Sequence, residues 1–300
     1  MSWNGATILA GAYNCPRLGA FQLSEMIFAR FQRGLARNGA LLARLACVAL
    51  GCVPLLIGQS TPRRTAVAPP VPAKTTVREA EVPFSGTERL AFQILFSKFT
   101  VKAGALEFTV VERRNFFGKT AWHFRATAQT VDTVRVLYPL DDQFDSYTDA
   151  VRLTSLQYEM YLREAGNRED HTWRMDTGEE PLAAGVAAAR VQPGTRDPLG
   201  LLYILRATDW KKTPELRVPV FDGNHLYDVH AQLAETGKQV QVPLGQFNAS
   251  HIRVQVFEQG HELMNTSFSV WLTEDASRTP VLIEAELPIG SARVELMSRQ

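Results

Sequence analysis

Across residues 84–299 apolar and polar side chains alternate with a period of two, the pattern of strands that lay one face on a core. Leu90, Phe92, Ile94 and Phe96 share a face within 88–98, and Leu106, Phe108 and Val110 repeat the pattern up to Arg114. Trp122, Phe124, Ala126 and Ala128 follow, with His123, Arg125 and Thr127 on the other side. Residues 139–149 predict a polar-faced strand carrying Phe144 and Tyr147, and 156–164 with 168–176 a hairpin closed at Ala165-Gly166-Asn167. Further strands are predicted at 216–220, 226–233, 240–247 and 252–256. The stretch 267–297 reads as three strands joined by two turns, with Phe268, Val270 and Leu272 on one face. There Arg293 can stand across from Glu284 or Glu286, a pair worth a few tenths to about 1 kcal/mol on a sheet. Turns are predicted at Lys102-Ala103-Gly104, Asn115-Phe116-Phe117-Gly118, Phe221-Asp222-Gly223-Asn224 and Pro288-Ile289-Gly290.

One segment breaks the alternation. Asp197-Pro198-Leu199-Gly200-Leu201-Leu202-Tyr203-Ile204-Leu205-Arg206 has an N-cap residue, a proline at the first helical position and an almost wholly apolar body. It predicts a buried helix, with Gly200 marking close packing. The Ala-rich 181–190 fits either a loop or a poor strand. The fold class is therefore mostly β: a single large antiparallel curved sheet or open half-barrel of about a dozen strands, with one buried apolar helix.

The ends and charges add a second layer. Residues 1–60 carry five arginines and Glu25, a net of +4. The 32 basic and 31 acidic residues of the whole chain leave 27 and 30 for the rest, so the body is slightly acidic, against a nucleic-acid partner. Arginines at 30, 33, 37 and 44 precede the apolar run 45–58, the layout of an export signal. Three alternatives stay open: a signal cleaved before Thr61, a lipoprotein with Cys52 lipidated, and an uncleaved membrane anchor. The start is Met1 or Met26. Residues 61–83 hold five prolines and read as an extended linker, leaving 84–299 as one domain. All three cysteines, Cys15, Cys47 and Cys52, precede it, so the domain has no disulfide or thiolate metal site. The expected location is the periplasm, with membrane contact only through the N-terminal segment.

Motifs for chemistry are sparse. The six histidines have no metal spacing, and no nucleophile elbow, phosphate loop or dinucleotide fingerprint is present. No metal and no cofactor are expected. Asp141, Asp142 and Asp145 form a carboxylate cluster in sequence, which catalysis would require to converge in a pocket beside a His or Arg.

With these residues placed, the chain resembles a bacterial domain of unknown function family, serial 3108. The resemblance is carried by Gly104, Asp197-Pro198, Asp222-Gly223 with Tyr227, Trp271, Arg278, Pro280, Glu284 and Gly290. It implies an exported envelope protein and no particular activity. Two functions follow as expectations. One is a non-catalytic binding module with an apolar cleft for a lipid or lipoprotein, for which Leu199, Leu202, Tyr203 and Trp271 are the candidate lining. The other is a scaffold docking an envelope protein. A hydrolase ranks behind both.

Overall fold

The computed structural model describes residues 81–96, 101–175, 182–287 and 290–300. The expected export segment with Cys52, almost all of the expected 61–83 linker, and the 288–289 part of the last turn lie outside them. Thirteen strands form one sheet. In chain order they are β1 (Arg89–Phe96), β2 (Val101–Phe116), β3 (Lys119–Thr130), β4 (Asp141–Asp149), β5 (Ser155–Glu164), β6 (Asn167–Arg174) and β7 (Val186–Ala188). The second half holds β8 (Glu215–Phe221), β9 (Leu226–Val242), β10 (Gly245–Glu258), β11 (His261–Thr273), β12 (Pro280–Leu287) and β13 (Gly290–Arg299). Helix α1 (Asp132–Leu137) joins β3 to β4, and α2 (Pro198–Ala207) joins β7 to β8.

The spatial order is β7-β6-β5-β4-β3-β2-β1-β13-β12-β11-β10-β9-β8. Two meanders run outward from the centre, where β1 pairs with β13. The mostly β half-barrel expected from the alternation is what forms, and the helix beginning after Asp197 is its buried element. Its two outer regions come together through a short segment rather than a strand pair. Ser155 N donates to Thr195 O at 3.2 Å, Arg196 N to Pro219 O at 2.9 Å, and Phe221 N to Arg196 O at 2.8 Å.

Several elements differ from the expectation. Gly104 lies inside β2, not in a turn, because β2 begins at Val101. A Cβ there would stand 2.7 Å from the Gln129 carbonyl oxygen, so the close approach of β3 requires glycine. The strands expected at 226–233 and 240–247 are largely one, β9, running through the polar 234–239. The Ala-rich stretch supplies β7, which pairs parallel to β6 and is the one parallel pair among the described strands. Helix α1 was not anticipated: it buries none of its residues, so no apolar period marks it.

The core lies on the inner face, against α2. Tyr203 stacks on Phe124 with ring centroids 3.6 Å apart, and Phe84 meets both rings edge-on. Leu90, Phe92, Val110, Ile252, Leu272, Val281 and Leu296 complete this layer.

Candidate functional site

The residues that fix α2 come from distant parts of the chain. At its N-terminus, Asp197 accepts from Gly200 N at 2.7 Å, closing the first turn. Its other carboxylate oxygen accepts from Ser146 of β4 and Ser155 of β5, both at 2.5 Å. The cap predicted from sequence is thus also a staple across two strands. Burial pushes the Asp197 carboxyl above its ordinary range, against those hydrogen bonds. Gly200 lets the turn approach: a Cβ would stand 2.9 Å from Ser155 Oγ.

At the other end Arg206 is wholly buried. It donates to both carboxylate oxygens of Glu88 at 2.6 and 3.0 Å, to the Arg278 carbonyl at 3.2 Å and to the Ser277 carbonyl at 3.3 Å. Arg278 reciprocates through its own guanidinium, donating to the Ala207 and Thr208 carbonyls at 3.1 and 2.8 Å. Those carbonyls end the helix and lack intrahelical donors. Arg278 reaches them from a left-handed backbone, φ +42°. Trp210 Nε1 adds a bond to the Leu205 carbonyl at 2.8 Å. Sequence reasoning missed Glu88 and Arg206. A lone Arg in an apolar helix was the available signal, since a buried cation needs a partner.

Away from the helix the inner face changes character. On β1, Leu90 and Phe92 are buried while Ile94 and Phe96 are half-buried. On β2, Val110 and Phe108 give way to half-buried Leu106. On β12 and β13, buried Val281 and Leu296 give way to half-buried Ile283, Ala285, Val294 and Ala292. On β11 the half-buried position is Phe268. Register places Ile94, Val294, Ile283 and Val270 in one row across four strands, and Phe96, Ala292, Ala285 and Phe268 in the next.

Of the proposed lining, Leu199, Leu202 and Tyr203 lie in the core against the sheet. Trp271 is only half-buried, packed at the margin of the same core. Alternation turns it to the outer face, where it stacks on His251 with centroids 4.3 Å apart. The other motif positions are architectural. Asp222 Oδ1 accepts from Asn224 N and His225 N at 2.8 and 2.7 Å, forming the β8–β9 turn. Gly223, at φ +106°, lies under Trp173, 2.7 Å from where its Cβ would be. Tyr227 is buried on β9, Pro280 opens β12 and Gly290 opens β13. Glu284 stands opposite Arg293 and pairs with it, as expected.

The three aspartates do not converge: alternation turns Asp142 away from Asp141 and Asp145, and those two share a face of β4 but stand four positions apart. Asp141 is exposed and held by the Arg135 guanidinium at 2.8 and 2.9 Å. Asp142 is buried and accepts from Arg163 N at 2.8 Å. Its carboxyl is pushed up to about 7, first by burial and then by the neighbouring Glu164 and Asp141, against the bond from Arg163 N. Asp145 bonds His123 Nε2 at 2.5 Å and accepts from Arg125 Nε at 2.8 Å and Gln143 Nε2 at 2.6 Å. Burial pushes its carboxyl up, but these bonds outweigh it and leave it below the usual range. Among the described residues no group of three or more His, Cys, Asp or Glu is placed to hold a metal ion.

A half-barrel with a charge-stapled helix against its inner face defines the class of this protein. The family model for "Protein of unknown function (DUF3108)" matches residues 91–297, and the chain belongs to that family. No curated protein matches it. Among solved structures it is similar to a beta-barrel-like protein of domain of unknown function DUF1849 from Brucella abortus, at 11% identity. That match covers 72% of this chain and 97% of the other, with a TM-score of 0.47. It is also similar to a candidate exported protein with a YmcC-like fold from Bacteroides fragilis: 9% identity, 74% and 100% coverage, TM-score 0.33. A candidate lipoprotein from Parabacteroides distasonis gives 9% identity, 74% and 100% coverage, and a TM-score of 0.35.

Proposed function

We propose that this protein is an exported, non-catalytic binding module that holds an apolar ligand, an acyl chain, against the inner face of its half-barrel beyond α2. The observation that carries the reading is the gradient of burial along β1, β2, β11, β12 and β13. Large apolar side chains continue past the helix but lose their cover, as at Ile94, Leu106, Phe268, Ile283 and Val294. Leaving such surface in contact with water costs about 25 cal/mol per Å², and an apolar guest would remove that cost. The divergence of Asp141, Asp142 and Asp145 favours binding over catalysis. Export is supported by the basic-then-apolar order of residues 30–58.

The test is mass spectrometry of lipid extracted from the protein purified without detergent from its own export compartment. The reading expects stoichiometric acyl-chain lipid. Protein that reaches that compartment, folds and carries no lipid, and takes none up from vesicles, contradicts it.

A further inference from the structure

The outer face of β1–β4 carries a second feature, independent of the inner one. It is a cleft of about 480 Å³ spanning four strands, within the size range of small-molecule sites. Small side chains, Ala91 and Ala105, leave the space, and polar ones surround it: Glu107, Thr127, Gln129 and Gln143. Register places them together, with Ala91 opposite Glu107, Glu107 opposite Thr127, Thr127 opposite Gln143, and Ala105 opposite Gln129.

The bonding of these groups decides what the cleft can take. Glu107 is matched by Arg89 Nε at 3.4 Å, and the bordering Asp141 by Arg135. Those two carboxylates are therefore neutralised, the third in the lining, Asp142, sits on an inward-pointing strand position and accepts from Arg163 N, and the lining holds no uncommitted cation for an anionic ligand. Gln143 spends its amide N–H on Asp145, which leaves its carbonyl oxygen as an acceptor. Among the described residues the Thr127 hydroxyl and the Gln129 amide have no side-chain partner. The large apolar residues of the lining, Phe92 and Leu106, sit on strand positions that point inward. What remains is a neutral pocket with a hydroxyl, a primary amide and an amide oxygen spread over two adjacent strands.

We propose that this outer cleft binds a neutral, polyhydroxylated ligand, a sugar unit, through Thr127, Gln129 and Gln143. Sugars offer paired hydroxyl donors and acceptors without charge, which complements amides and hydroxyls. Gln129 can donate and accept at once, Thr127 likewise, and Gln143 accepts.

The experiment is an NMR titration of the whole described domain with its N-terminal segment, using maltotriose and N,N′-diacetylchitobiose as probes. Saturable shifts confined to outer-face residues of β1–β4, with at least one of the sugars, are the expected result. Gln129→Leu and Ala105→Leu should each weaken that binding at least tenfold, the first by removing the amide and the second by filling the cleft. Thr127→Val should weaken it a few-fold. Spectra of the variants report directly that the fold is intact. Absence of saturable shifts with both sugars overturns the proposal. So does sugar binding that the folded variants leave unchanged, or glucose 6-phosphate binding more tightly than maltotriose. None of these results bears on the inner face, whose test is lipid content.

Discussion

At the scale of single residues, the side chains that hold this molecule together are charged and hidden. Arg206 and Glu88 are 118 positions apart and form a two-point ion pair in the core. Breaking such a pair leaves an uncompensated buried charge, at a cost of about 3–5 kcal/mol. Glu88→Gln should therefore lower stability by that order in denaturant unfolding, while the double change Glu88→Leu with Arg206→Met should lose much less. Nothing in the sequence links the two positions; only the oddity of an arginine in an apolar helix was visible. The aspartates were equally opaque, since Asp141, Asp142 and Asp145 look alike in the chain; alternation separates Asp142 from the other two, and only their partners, Arg135 for Asp141 and His123 with Arg125 for Asp145, separate those. Asp142 yields a pH prediction. Its folded pKa, about 7, stands above the unfolded value of about 3.9. The folded state therefore binds the proton more tightly, and this contribution is complete below pH 4 and lost as pH rises to 7. The titratable groups around it are Glu164, Asp141 and Tyr138, and the Arg163 backbone N–H donates to its carboxylate. The wild-type melting temperature should fall between pH 5 and pH 8 by more than that of Asp142→Asn; parallel pH profiles would contradict the assignment.

At the scale of elements, legibility followed the strength of local signals. Helix α2 was readable because Asp197 and Pro198 announce its start and its body is apolar throughout. The hairpin turn at Ala165-Gly166 was readable from Gly166, which takes the positive φ the turn needs, 89°; Ala165, at 47°, carries no such signal. Helix α1 and β7 were not readable, being six and three residues long and held by neighbours rather than by pattern. The division of β9 came from its polar middle, which faces solvent at 234–239 and so lacks the alternation of a half-buried strand. The wedge at the start of α2 makes a sharp prediction. Helix propensity alone favours alanine over glycine by about 1 kcal/mol. Yet the added methyl of Gly200→Ala would press on Ser155 Oγ, which holds Asp197. Thermal unfolding should show a less stable protein, and a stabilised variant would remove the close-packing account of this glycine.

At the scale of the whole molecule, the two ends of the domain meet at its centre. β1 and β13 pair, so each half of the chain folds outward as its own meander and α2 crosses between the halves. That architecture was legible as a class from alternation, and the family resemblance pointed the same way. The course of the 195–197 segment was not, because its hydrogen bonds reach Ser155 and Pro219 from a stretch with no strand pattern of its own. The same arrangement creates an asymmetry of burial: the inner face is closed by α2 at one end and lined by half-buried Ile94, Leu106, Phe268, Ile283 and Val294 at the other. Which inner-face residues are covered could not be read from alternation, which separates inner from outer but not covered from uncovered.

The central claim, an acyl-chain site on the inner face beyond α2, is tested most directly by fluorescence titration with 1-N-phenylnaphthylamine, a neutral apolar probe. Wild-type protein should bind it saturably near one to one, palmitate should displace it, and Ile283→Glu, folded by circular dichroism, should weaken it at least tenfold. Saturable binding that Ile283→Glu leaves unchanged, or no binding to the folded wild type, would contradict the claim.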